Sequence, residues 1–143
     1  MATLTAANSV IMLIIPGLYP VPQQIEGFAA DDVMTMESYQ PVETLMGVDG
    51  HLSGGWVPVP KPMTISIQAD SASVAIFEAW NAAQQAIREV YTADALITLP
   101  SVNKLYTCTR GFLTGYPPAP DVRRILQPRR FQITWESILV API

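Results

Sequence analysis

Charge is what this sequence has least of. Only 14% of its 143 residues are Asp, Glu, Lys or Arg, against about 25% in a typical soluble domain. Half of the residues are apolar, so this is not a disordered chain, which would be polar and highly charged. The shortage points instead to surface covered by something other than water. Positive charge is absent from the first 60 residues, which hold six acids: Glu26, Asp31, Asp32, Glu37, Glu43 and Asp49. Residues 61–143 hold six acids and all eight basic residues, so the two halves carry −6 and +2. A nucleic-acid binder usually shows a basic face and a high pI. Here the pI is about 4.7, which argues against nucleic-acid affinity but suits a wall that repels it.

Cysteine and histidine are reduced to one each, Cys108 and His51. One cysteine makes neither an internal disulfide nor a cysteine-based zinc site, so Cys108 reads as a small buried apolar residue. Long hydrophobic runs are also missing. The longest spans residues 10–15 and stops at Pro16, far short of the roughly 18–20 residues of a membrane helix. No basic stretch follows Met1, so no secretory signal is apparent. A soluble protein made in the cytoplasm is the expectation.

Proline is abundant: there are thirteen, with eight glycines. Such a chain has many turns and short strands, and an all-helical bundle is excluded. The length suits one domain. Residues 57–62 (Val-Pro-Val-Pro-Lys-Pro) form its best internal break, read as a long loop and not as a domain boundary. Strands are predicted at 9–15, 33–36, 44–47, 52–57, 63–67, 95–100, 105–113 and 130–138, the last prolonged by 139–141. Residues 18–22 read as a turn or edge segment, because Pro20 and Pro22 cannot donate to a ladder. Asp49-Gly50 between two strands predicts a type I′ hairpin turn. One helix is expected over about 72–89, capped from Asp70–Ser73, with Ile76, Trp80, Ala83, Ile87 and Val90 as a stripe packed on the sheet. The sum is mainly β, six to eight strands with one flanking helix: a β-sandwich or a small barrel.

Chemistry is not apparent. His51 sits beside a predicted turn and reads as solvated. The stretch Gly50-His51-Leu52-Ser53-Gly54-Gly55 departs from the G-x-S-x-G nucleophile elbow at His51. Neither a P-loop nor a dinucleotide fingerprint occurs. Asp31-Asp32 would point to opposite faces of a strand and read as a solvated loop. No catalytic, cofactor or metal residue is therefore assigned. Arg123, Arg124, Arg129 and Arg130 do cluster around Gln127-Pro128. They suit a phosphate patch, a solvated loop, or arms that pair with acids of a neighbouring subunit. The acid-only first 60 residues favour the last of these over nucleic acid.

The helix is followed by Ile97-Thr98-Leu99-Pro100-Ser101, then Cys108-Thr109-Arg110-Gly111-Phe112-Leu113, Pro117-Pro118, and Gln127-Pro128-Arg129-Arg130-Phe131-Gln132-Ile133-Thr134-Trp135-Glu136. Earlier stands Met46-Gly47-Val48-Asp49-Gly50. This series, over roughly residues 44–138, resembles the small tail-tube-type structural proteins of contractile-tailed bacteriophages. The resemblance implies one β-sandwich domain over residues 1–143, homohexameric rings whose inner strands form a continuous barrel, and rings stacked into a tube. It implies partners among tube, sheath and baseplate proteins, DNA that only passes through the lumen, no membrane insertion and no cofactor. The location it implies is the virion tail, after synthesis in the host cytoplasm. In such a tube Asp31, Asp32, Glu37, Glu43 and Asp49 are candidates for the lumen, and Arg123, Arg124, Arg129 and Arg130 for the subunit interface. The proline load departs from a plain tube subunit and raises a specialised ring at the baseplate end. Two other classes compete: a lipocalin-like barrel that binds a small molecule, and a hydrolase using His51 and Ser53, from which no activity is expected.

Overall fold

A computed structural model describes residues 9–28 and 33–143. Asp31 and Asp32 lie outside them. The described residues form nine strands and one α-helix: β1 (Val10–Ile15), β2 (Tyr19–Gln24), β3 (Met34–Met36), β4 (Val42–Met46), β5 (Leu52–Trp56), β6 (Lys61–Ile67), α1 (Val74–Ile87), β7 (Ala93–Leu99), β8 (Lys104–Gly115) and β9 (Arg129–Pro142). Seven strands make one antiparallel sheet in the order β2-β1-β7-β8-β9-β6-β3, and β4 and β5 pair only with each other. The expected mainly β, sandwich-like domain with one helix is what forms. The barrel alternative does not hold, because among the described residues the sheet is not closed and ends at β2 and β3.

Alternation in the sequence explains which face is inside. Ile11, Leu13 and Ile15 of β1, Met63, Ile65 and Ile67 of β6, and Phe131, Ile133 and Trp135 of β9 are all buried in a single core. β1 and β6 are not neighbours in the sheet, so it curls around that core. The segment after β2 closes the open side. Ile25 N–H donates to the Ile11 carbonyl at 2.9 Å, and Gln68 N–H to the Gly27 carbonyl at 2.8 Å. Phe28 bridges Ile67. Pro20 and Pro22 are tolerated because β2 is an edge strand, where a missing N–H costs no ladder bond.

The helix is shorter than its sequence pattern. Val74, Ile76, Phe77 and Trp80 are buried, Ala83 is half-buried, and Ile87 and Val90 are exposed. The apolar periodicity therefore runs on past the point where the sheet ends. Phe77, outside the 4-3-4-3 stripe, stacks on Phe131 of β9 at 4.3 Å. The residues expected to cap the helix do something else. Ser71 Oγ donates to the Glu26 carbonyl at 2.5 Å, and Ser73 Oγ accepts from Glu26 N–H at 2.8 Å. The two serines fasten the chain after β2 to the helix start, and no side chain caps α1.

Strand β8 is irregular beside Gly111. Arg110 adopts φ +51°, its N–H is taken by Asp94 Oδ1 at 3.0 Å, and the β7–β8 register shifts there. Trp135 lies against Gly111 so closely that a Cβ at 111 would stand 2.4 Å from the indole ring.

Candidate assembly surfaces

The hairpin β4–β5 stands apart from everything above. Its register sets Val42 opposite Trp56, Thr44 opposite Gly54 and Met46 opposite Leu52. Directly opposed residues share a face, so one face carries Val42, Trp56, Met46 and Leu52. The other carries Glu43, Leu45, Ser53 and Gly55. Every residue of both strands is exposed, from 50% at Val42 to 75% at Trp56 on the apolar face. A lone two-stranded hairpin is marginally stable in water, and apolar side chains at this exposure gain nothing from the fold. The Asp-Gly signal locates the hairpin but not its turn type. Gly50 alone has positive φ, at +84°, and its N–H donates to the Gly47 carbonyl at 3.0 Å. Val48-Asp49 are thus the centre of a type I turn that Gly50 completes, a three-residue loop instead of a type I′ pair.

The arginines do not act as one group. Arg129 is 5% exposed and serves its own chain. Its Nη1 meets Glu78 Oε1 of α1 at 3.2 Å, and its Nη2 donates to the Pro117 carbonyl at 2.6 Å. The guanidinium lies over the Phe131 and Tyr116 rings at 5.1 and 5.5 Å. Arg129 thus ties the proline-rich loop and α1 to β9, so of the four arginines named for a subunit interface this one is buried in its own chain. Strand alternation turns residue 129 inward and residue 130 outward. Arg130 is exposed opposite Ser66 and makes an interaction of its own. Arg123 and Arg124 are exposed on a compact turn closed by the Val122–Leu126 bridge and by Gln127 N–H to the Asp121 carbonyl at 3.0 Å. Val122, Ile125 and Leu126 of the same turn are exposed apolar residues.

The described acids proposed for a lumen gather near the arm. Glu43 is on β4 and Asp49 at the hairpin tip, where its Oδ1 accepts His51 N–H at 3.1 Å. Glu37 follows β3 and donates its N–H to the Pro62 carbonyl at 3.3 Å, close to where the arm rejoins β6. His51 and Ser53 are exposed, and no hydrogen bond joins them. A serine needs a base at hydrogen-bond distance to become a nucleophile. Among the described residues no three His, Cys, Asp or Glu side chains gather as around a metal ion. No described helix is long and apolar enough to cross a membrane. One groove of about 520 Å³ lies between Trp56, Phe112 and Trp135 and is open to solvent. A lipocalin-like binding barrel has no counterpart in this sheet.

The fold is thus a curled antiparallel sheet with one helix and an exposed apolar hairpin. The chain belongs to the family described as tail fiber protein gp32, whose pattern matches residues 2–139. Three solved structures share the fold. The sheath/tube terminator of an extracellular contractile injection system (PVC, extended state) is 11% identical, with TM-score 0.69 over 99% of this chain and 98% of that one. The anti-feeding prophage tube-terminating cap is 11% identical, with TM-score 0.63 over 100% and 93%. A chain of the six-fold symmetrised anti-feeding prophage baseplate is 11% identical, with TM-score 0.61 over 99% and 98%. No curated protein matches the sequence closely enough to count as a relative.

The arm's apolar face is what sequence reading missed. Its signal was present as two cross-strand apolar pairs, Val42–Trp56 and Met46–Leu52, on either side of the turn. Gly54-Gly55 obscured it by reading as weak strand.

Proposed function

We propose that this protein is a ring-forming subunit of a contractile tail, in the ring where the tube begins or ends, and not an enzyme. The observation that carries the reading is the β4–β5 arm, an apolar hairpin that a monomer leaves wet. The fold likeness to terminator, cap and baseplate chains supports the location, since it covers those chains almost end to end. Prolines on edge strand β2 support it too. They hinder the open-ended strand pairing that a repeating tube wall uses. A curled sheet around one core also suits a ring subunit better than a fibre shaft.

In this reading the rings are homohexamers that meet tube, sheath or baseplate proteins, and DNA passes without sticking. Asp31, Asp32, Glu37, Glu43 and Asp49 then face the channel or sit at ring junctions, where negative charge repels the phosphate backbone. Light scattering behind size exclusion, with negative-stain microscopy of the same peak, tests it. Discrete rings are expected. A monomer at all concentrations would overturn the ring, and tubes of indefinite length would overturn the terminal position.

A further inference from the structure

We infer that the arm of one copy docks on the 121–128 turn of the next, in a head-to-tail contact. This rests on the ring reading above and specifies its interface. The arm and the turn leave the same strand pair at opposite ends. Lys61, just after the arm, pairs with Trp135, whereas Ile67 pairs with Arg129, just after the turn. Six residue steps separate these levels, about 20 Å at ~3.4 Å each. Since every residue of the arm is exposed, it does not fold back across that distance within its own chain.

The two surfaces complement each other in charge and in apolarity. Residues 42–56 carry Glu43 and Asp49 and no Lys or Arg, a charge of −2. Residues 121–130 carry four arginines and Asp121. Arg129 is held by Glu78 and Arg130 is engaged elsewhere, so Arg123 and Arg124 against Asp121 leave +1. Ile125 and Leu126 line an open groove of about 510 Å³ with Gln68, Ala69 and Asp70. The groove offers apolar cover for Met46 and Leu52, while Arg123 and Arg124 flank it as forks for the arm's carboxylates. Asp70 is the one opposing charge in the groove, and it favours entry of the apolar face with the acids outward. Because different patches meet, the contact is heterologous: it closes into a ring or runs on as a stack, and it cannot stop at a symmetric dimer.

The test uses two full-length variants, each keeping one surface intact. Met46→Asp with Leu52→Asp spoils the arm, and Ile125→Asp with Leu126→Asp spoils the turn. All four positions are exposed, so circular dichroism and unfolding midpoint should match the parent. Each variant alone should lose association by about tenfold or more, as when a central apolar anchor is removed. An equimolar mixture should give a one-to-one complex that grows no further, weakened by added salt. Wild-type rings together with variants that assemble equally well would overturn the arm–turn contact and leave the ring reading standing. A mixture that stays monomeric would also overturn it. Wild-type protein that never associates would overturn both.

Discussion

The seven-stranded sheet and the β4–β5 arm are made of the same kind of sequence, short apolar strands with turn residues between them, yet the fold treats them oppositely. In the sheet, alternation places Ile65, Ile133 and Phe131 at 0% exposure. In the arm, Val42, Met46, Leu52 and Trp56 also share a face, yet that face stays 50–75% exposed. Hydrophobic periodicity therefore specifies a buried face without specifying who buries it. For the sheet the partner is α1 and the opposite half of the curl. For the arm no covering surface is found among the described residues, and the proposed assembly would supply it.

Thiol chemistry should separate the two regions most widely. Burial pushes the Cys108 thiol up to about 12 from an ordinary 9.0, because the thiolate would be stranded in the core. At pH 8 this lowers the reactive thiolate by about a thousandfold. A cysteine placed on the arm by Ser53→Cys, in a Cys108→Ala background, should alkylate at the rate of a free thiol. Native Cys108 should react slower by about that factor, or by more where access also limits. Equal rates would refute the contrast. The sign for stability follows. The folded-state value is raised, so the contribution of the neutral thiol is complete below pH 9 and is lost as pH climbs from there towards 12.

Removing an anchor of the core comes next. Trp80 is fully buried, and its Nε1 donates to the Tyr91 carbonyl at 3.1 Å. Trp80→Ala should cost about 3–5 kcal/mol in denaturant unfolding. A loss below about 1 kcal/mol would mean that the helix is not part of the core.

Arg129→Ala should cost less, about 1–3 kcal/mol, chiefly through the charged hydrogen bond to Pro117 and the ring contacts. The ion pair adds little, because Glu78 is 54% exposed and such pairs contribute about 0–1 kcal/mol. Arg129 Nε is buried without a partner, which takes back part of the gain. The comparison sharpens when Arg124→Ala is measured beside it. That change should leave stability alone and weaken association, whereas Arg129→Ala should do the reverse. Equal effects on both readouts would refute the division of the arginines.

Much of the sheet was legible in the sequence because strands carry their own periodicity and prolines mark their ends. Residues 63–67 and 130–138 fell inside β6 and β9 for that reason. Helix length was less legible: the stripe through Ile87 and Val90 continues after the sheet has run out, and only the tertiary fold sets that limit. The arginines were legible as a cluster and not as individuals. Whether residue 129 or 130 points inward depends on register, which a one-residue shift reverses. The charge asymmetry between the halves was plain, but not that the acids at 43 and 49 ride on an arm.

The smallest effect on folding should come from the arm itself, and it is the one that isolates the difference between the regions. Trp56 is 75% exposed and its strand pairs only with β4. In a monomer, Trp56→Ala should shift unfolding by no more than about 0.5 kcal/mol, the range of exposed surface changes. A tryptophan with so little influence on its own fold is unusual, because large aromatics dominate core energetics. Hydrogen exchange reads the same point along the backbone. Val42–Met46 and Leu52–Trp56 amides should exchange near the rate of open chain in dilute protein, while β6 and β9 amides wait for global unfolding. On assembly the arm amides should slow, and in the Trp56→Ala variant they should slow less. Arm amides already protected like those of β9 in the monomer would show that the hairpin stabilises itself and needs no neighbour.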